Sequence, residues 1–432
     1  MIFFWRARLY ARGCCLYLRF TININSAVNL VTWLKIERVE MKTYKYLIIG
    51  AGMTADAAVR GIRELDPQGS IGLIGIEDEP PYDRPPLTKA LWKGKPLEKI
   101  WRDTESLGVE LNLGHRVTRL NADDLSAIDK NGESYTGQKI LLATGAKPRR
   151  FSFGDGQIIY YRTLHDYRAL RQLCEKGQSF AVIGGGFIGS EISAALAMNG
   201  KRVTLLLSGA AIGEHMYPDD LAQFLKKFYT SKGVEILTGA KVTDVVAQPG
   251  DQALVSIEDG RKLTVDGVIA GVGVQPNTDL AEKADLIVDN GIIVNEQLLT
   301  SHNDIFAAGD VAEFFNPALG KLIRVEHEDN ANTMGRQAGR NMAGATEPYH
   351  HLPFFYSDLF ELGYEAVGDL DAHQTIFSDW TTPFQKGVVY YLTDQRVRGV
   401  LLWNVWGKVP EARKLIAEPG PINPESLRGR IS

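Results

Sequence analysis

The stretch Phe180-Ala-Val-Ile-Gly184-Gly-Gly186-Phe187-Ile-Gly189 repeats, further along the chain, the pattern of Tyr44-Lys-Tyr-Leu-Ile-Ile-Gly50-Ala-Gly52-Met-Thr-Ala55. In each copy an apolar run suited to a buried parallel strand meets a glycine turn. A segment with helical apolar spacing follows it, Ala57-Ala-Val59 with Ile62 and Leu65 in one case and Ser190-Glu191-Ile-Ser-Ala-Ala-Leu in the other. The first glycine of such a turn (Gly50, Gly184) permits the tight bend. The second (Gly52, Gly186) lets backbone approach a pyrophosphate, and the third small residue (Ala55, Gly189) keeps helix and strand close. The free N–H groups and the positive helix end then face phosphates. One such turn is weak evidence and fits an ordinary tight turn equally well. Two, each between strand and helix, imply that one α/β chain binds two dinucleotides.

Working outward from the turns, the next strand of a dinucleotide-binding unit usually ends in a carboxylate that holds a ribose. Ile71-Gly-Leu-Ile-Gly-Ile-Glu77-Asp78 supplies Glu77 after the first turn. Val203-Thr-Leu-Leu-Leu-Ser208-Gly209 supplies none after the second, and no Arg follows it to receive a 2′-phosphate. The second site is thus expected to favour NADH over NADPH.

The rest of the chain sets bounds. Its 432 residues exceed one ordinary core and point to two or three domains. With 44% hydrophobic and 23% charged residues it is globular in composition, and a net charge of −4 argues against a general nucleic-acid binder. Three Cys build neither a disulfide framework nor a Cys-rich zinc site, and no His/Cys/Asp cluster has metal-ligand spacing, so no metal is expected. No apolar run reaches the ~18 residues of a membrane span. A cytoplasmic protein is the expectation. Residues 1–40 stand apart, with Arg6, Arg8, Arg12, Arg19, Lys35 and Arg38 against only Glu37 and Glu40. They read as sequence upstream of a true start at Met41, as an organellar targeting segment, or as a folded element.

Four further segments narrow the architecture: Tyr82-Asp-Arg84-Pro-Pro-Leu-Thr-Lys89, Leu141-Leu-Ala-Thr144-Gly145, Gly271-Val-Gly273-Val-Gln-Pro-Asn277 and Ile305-Phe-Ala-Ala-Gly309-Asp310. In this order, and from about residue 44 to about 416, they resemble the FAD-dependent pyridine nucleotide-disulfide oxidoreductase family. The resemblance implies a glutathione-reductase-like fold, with two Rossmann-type dinucleotide-binding domains plus a C-terminal α/β domain. The FAD-binding domain would take residues 41–150 and 280–349, the NAD(P)H-binding domain 151–279, and the C-terminal domain 350–432. Where disulfide reductases of the family carry a Cys pair, this chain has Arg84-Pro-Pro-Leu-Thr-Lys89. That replacement resembles the ferredoxin-reductase and rubredoxin-reductase branch and its apoptosis-inducing-factor-like relatives. Arg324-Val-Glu326-His327, Phe355-Tyr356 and Val400-Leu-Leu-Trp403-Asn404 resemble the latter, although Tyr356 stands where that subgroup often has Trp.

The resemblance also implies roles. FAD would take the first turn, with Arg84, Arg149, Thr144, Gly145 and Asp310 around it and Asp310 on the ribityl chain. NAD(P)H would take the second, with Gly273, Phe187 and Tyr356 nearby. Lys89 would lie by the flavin ring, paired with Glu191, while Glu326 and His327 would border flavin and nicotinamide. The implied activity is hydride transfer from NADH to flavin, then electron transfer to a small redox protein such as ferredoxin or rubredoxin, or to another acceptor. The alternative is a binding protein whose NADH-reduced state controls association. A second copy of the chain is a further candidate partner. Trp403 and Trp406 are expected to pack the last sheet, Cys174 to be a buried apolar residue, and Thr393-Asp394 to form a hairpin turn.

Overall fold

The structure, a computed structural model, describes residues 2–11, 14–23, 35–37 and 41–431. Ile2–Ala11 and Cys14–Asn23 pair as an antiparallel hairpin with Lys35–Glu37 as a third strand. The remaining positions of residues 1–40 lie outside the described residues.

The first apolar run is the strand Met41–Ile49, at the centre of a seven-stranded sheet. Ile71–Ile74 and Ser134–Leu142 flank it, both parallel, and every side chain of Ile71–Ile74 is buried. The chain returns to this sheet after residue 300, where Ile305–Ala307 pairs in parallel with the outer side of Ser134–Leu142. The helix Met53–Leu65 packs against the late helix Glu328–Met342 at almost backbone distance. A Cβ on Gly61, Gly335 or Gly339 would lie 2.1, 2.4 or 2.0 Å from a carbonyl oxygen of the facing helix. Only glycine allows this approach, and it fixes the N-terminal end of the late helix, with His327 and Glu328, over the first nucleotide turn.

The second apolar run, Ser179–Ile183, is likewise central, in a five-stranded sheet that is parallel throughout. The short strands Ala146–Pro148 and Val274–Pro276 pair antiparallel and join this body to the first. The C-terminal sheet has five antiparallel strands, covered by the helix Val409–Ala417. Its hairpin turns at Asp394–Gln395 rather than Thr393–Asp394: Thr393 still pairs with Arg396, and both turn residues take left-handed φ, 51° and 55°. That is the two-residue turn whose twist matches the strands. Trp403 is fully buried and stacks on Tyr364 at 5.7 Å, as expected of a core residue. Trp406 departs from the expectation. It lies beyond the last strand, 52% exposed, with its ring edge against Gly363.

Candidate functional site

One cavity of about 1100 Å³ runs past both glycine turns. Ordinary small-ligand pockets occupy about 300–1,000 Å³, so this one is large enough to suggest more than a single small ligand. Within each turn the glycines divide into two kinds. A Cβ on Gly50 would meet the Ala143 carbonyl oxygen at 2.0 Å, and one on Gly184 the Gly271 carbonyl oxygen at 2.4 Å; their φ angles are +124° and +104°. Gly189 touches Gly184 equally closely, and Ala55 is fully buried behind the first turn. These residues hold the turns together. Gly52 and Gly186, which line the cavity, have nothing within 4 Å of where a Cβ would be. That open space beside helix N-termini is where phosphates fit.

Around the first turn, charges are matched in advance. Glu77 accepts from Arg84 at 2.6 Å and from the Tyr82 hydroxyl at 2.7 Å. Asp310, in the short turn Gly309–Val311, accepts from Arg162 at 2.5 Å. Thr144 and Asn277 bond reciprocally, side chain to backbone, at 2.9 and 2.7 Å, which ties the crossover between the two bodies to Gly145. Gly145 and Gly273 also line the cavity. Arg149 does not: it is exposed, and its backbone N–H bonds the Gly273 carbonyl.

Lys89 sits between the two turns. Its Nζ lies 2.7 Å from Glu191 Oε2, with side chains 11% and 3% exposed. Glu191 comes from the second turn of the second nucleotide helix, Phe187–Met198, and Lys89 from the loop after the first βαβ unit. Two hydroxyls complete the carboxylate: Thr88 Oγ1 donates to Oε2 at 2.5 Å and Ser357 Oγ to Oε1 at 2.6 Å. A buried charge is tolerable only when so paired and bonded. Ser357→Ala is therefore expected to cost about 1.5–3 kcal/mol of stability, the usual worth of a hydrogen bond to a charged group. Ser357→Thr should retain most of it, and urea denaturation compares the two.

Above Lys89 lies an aromatic wall. The ammonium is 5.2 Å from the Tyr356 ring centroid, and the Tyr356 hydroxyl donates to Glu328 at 3.2 Å. Burial pushes the Glu328 carboxyl up, and Tyr356 rises as well. His327 stacks on Phe355 at 4.3 Å and meets Phe187 edge-on at 5.9 Å. Glu326 is exposed at the rim, paired with Arg324. Desolvation, helped by the Lys89 ammonium and opposed by Asp310 and Asp329, pulls His327 down to about 4. It is therefore neutral at pH 7, and the sign of its pH dependence follows. The unfolded His protonates near about 6.5, so its contribution to stability is whole above that pH and is lost as pH falls toward about 4. His327→Phe, which keeps an aromatic ring for the stack, should lose less stability than the parent between pH 6.5 and 4.5 by urea denaturation.

Sequence alone assigns no role to Thr88, Arg162, Glu328, Phe355 or Ser357, although Thr88 and Phe355 stand in the segments that carry the resemblance, because a side chain placed by tertiary packing leaves no periodic mark. His115, Asp129 and Glu133 also converge, their ligand atoms all within 4.8 Å, a grouping the spacing did not announce. His115 Nδ1 bonds Asp129 at 2.5 Å, and Asn131 and Glu133 backbone N–H groups bond the same carboxylate. Cys174 is buried away from the cavity, its thiol pushed up to about 11 by burial, so it is no nucleophile at neutral pH.

Comparison with known proteins agrees with this geometry. The family model for pyridine nucleotide-disulphide oxidoreductases matches residues 44–338, and the C-terminal model of apoptosis-inducing factor, mitochondrion-associated, matches 338–383 and 373–418. Apoptosis-inducing factor 1, mitochondrial, of Dictyostelium discoideum is 33% identical over 423 residues, 88% of this chain and 79% of its own length. Putidaredoxin reductase of Pseudomonas putida is 30% identical over 394 residues, 88% of this chain and 93% of its own. The solved covalent putidaredoxin reductase–putidaredoxin complex superposes with a TM-score of 0.83 at 30% identity, covering 89% of this chain and 95% of that one.

Proposed function

Because this chain belongs to the pyridine nucleotide-disulphide oxidoreductase family, we propose that it is an FAD-dependent NAD(P)H oxidoreductase passing electrons to a ferredoxin- or rubredoxin-like protein. The observation that carries this reading is the single cavity entered by both nucleotide turns, with the Lys89–Glu191 pair at their junction and no cysteine among the described residues that line it. Among the relatives are a ferredoxin–NAD(+) reductase component of Burkholderia cepacia and a rubredoxin–NAD(+) reductase of Pseudomonas putida. When bound, FAD supplies a centre that accepts hydride and releases electrons singly.

The chain's own residues do the rest. Gly52 and the helix behind it receive the FAD pyrophosphate, Asp310 orients the ribityl chain, and Glu77, steadied by Arg84, meets the adenosine ribose. Gly186 receives the pyrophosphate of the nicotinamide coenzyme. Lys89 holds a positive charge where negative charge gathers on reduction, and Glu191 fixes its direction. Phe187, His327 and Phe355 form an apolar wall that excludes water from the hydride path. Residues 41–150 with 280–349 serve FAD, and 151–279 serve the coenzyme, with NADH preferred.

The purified protein should be yellow, should bleach with NADH in the absence of oxygen, and should be reoxidised quickly by a ferredoxin or rubredoxin. A second reading has its own support in the apoptosis-inducing-factor C-terminal match. In it the reduced state persists and alters association. Slow reoxidation by every protein acceptor, with a changed sedimentation coefficient after NADH, would favour that reading. A protein that neither holds FAD nor takes it up would end both.

A further inference from the structure

The second nucleotide unit lacks the ribose carboxylate at its usual place, since its strand Arg202–Leu206 runs out through Leu207, Ser208 and Gly209. The space that a side chain at 209 would fill is nevertheless occupied. A Cβ built on Gly209 falls 1.8 Å from Glu214 Oε1, 2.2 Å from its Cδ and 2.3 Å from Oε2. The carboxylate of Glu214 has folded back from five residues downstream into the position a strand-end acid would hold.

We propose that Glu214 is the ribose-binding carboxylate of the coenzyme site and the residue that selects NADH over NADPH; this rests on the oxidoreductase reading above. Three observations carry it. The Ala210 backbone N–H donates to Oε2 at 2.6 Å, which orients the group and leaves Oε1 without a hydrogen-bond donor among the described residues. The basic group paired with it there is His215, whose Nε2 stands 3.7 Å from Oε1, beyond hydrogen-bond reach; the Glu214 side chain is 32% exposed, so Oε1 is open to a ligand.

The loop that carries it is anchored to the glycine turn itself. The Gly213 N–H bonds the Gly185 carbonyl at 3.0 Å, and a Cβ on Gly185 would meet Leu207 at 2.6 Å. On its far side the Met216 carbonyl accepts from the Tyr391 hydroxyl at 2.8 Å, and the His215 carbonyl from the Ala372 N–H at 2.9 Å. The carboxylate is thus fixed relative to the pyrophosphate site rather than carried on a free loop.

Its chemistry decides between the coenzymes. A carboxylate accepts hydrogen bonds from the vicinal hydroxyls of an adenosine ribose and repels a 2′-phosphate in the same place. The segment Ser208–Tyr217 contains no Arg or Lys to reverse that preference.

The test measures NAD+ and NADP+ binding to the flavin-loaded full-length protein by calorimetry, alongside anaerobic bleaching by NADH and NADPH. Glu214→Gln keeps an oxygen for the Ala210 N–H and removes the charge. It should weaken NAD+ about tenfold, the usual worth of a charged hydrogen bond, and strengthen NADP+. Gly209 has no left-handed φ, so it accepts a side chain once the space is cleared. Glu214→Ala combined with Gly209→Glu should therefore restore the NAD+ preference that Glu214→Ala alone loses. An NAD+/NADP+ ratio unchanged in Glu214→Gln and Glu214→Ala would overturn the assignment, as would a parent protein that prefers NADP+. Glu214-dependent NAD+ binding without bleaching by NADH would uphold Glu214 and sink the oxidoreductase reading instead.

Discussion

Lys89→Met is expected to keep its yellow cofactor but to be reduced by NADH about 100- to 1,000-fold more slowly, the usual loss when one preorganised charge-stabilising donor is removed. The flavin midpoint potential should fall with it, because the ammonium favours the reduced, more negative form. The substitution has a second consequence that must be kept apart from the first. Glu191 is 3% exposed, and Lys89 is the cation paired with it among the described residues. Removing one partner of a buried pair leaves an uncompensated charge and costs about 3–5 kcal/mol. Single-variant kinetics would therefore mix lost stability with lost chemistry. Lys89→Met with Glu191→Gln separates them: the neutral amide still offers an oxygen to the Thr88 hydroxyl, and the Ser357 hydroxyl can reorient, so stability should largely recover. The slow reduction and the lowered potential should not recover. Stopped-flow reduction and dye-equilibrated potentiometry on the three proteins decide it. If the double variant regains the parent potential, the ammonium has no part in tuning the flavin, and Lys89 is only a counter-ion for Glu191.

How much of this site can be read along the chain depends on what each residue is asked to do. The glycine turns announce themselves because a backbone constraint selects the residue: φ of +124° at Gly50 and a carbonyl 2.0 Å from its missing Cβ leave no alternative. Lys89 and Glu191 lie in different nucleotide units, and no periodicity relates them. Resemblance to a family brought them together, and the packing of the two bodies makes the contact. Neither route assigns a role to Thr88 or Ser357. They stand 103 and 166 residues from the carboxylate they serve, and a serine in a strand usually means nothing more than a half-exposed position. Sequence points to Arg149 and passes over Arg162 for the same reason: an arginine's long side chain reaches wherever a carboxylate waits, so its place in sequence says little about its target. Glu214 is the sharpest case. The strand end lacks an acid, but the loop that supplies one returns through space rather than through spacing.

Gly52→Val and Gly186→Val should both fold, and should fail in different ways. Both positions have ordinary extended backbone, φ −95° at Gly52 and −79° at Gly186, which valine tolerates. Neither Cβ would touch any protein atom within 4 Å, so neither change strains the turn. What an isopropyl group would meet is the dinucleotide, since the open space beside each helix N-terminus is the space a pyrophosphate needs. Overpacking a filled site costs about 1–3 kcal/mol and occasionally more. Here that penalty falls on binding alone. Gly52→Val should therefore purify colourless with parent-like urea stability once compared with the flavin-free parent. Gly186→Val should purify yellow, be reduced by dithionite, and no longer be bleached by NADH at concentrations that saturate the parent. Gly50→Val sets the contrast, because its Cβ would sit inside the Ala143 carbonyl and the chain should not accumulate as folded protein. The pair assigns each turn to its own dinucleotide without a bound structure. A colourless Gly186→Val, or a Gly52→Val that stays yellow, would mean that the two turns have been given to the wrong partners.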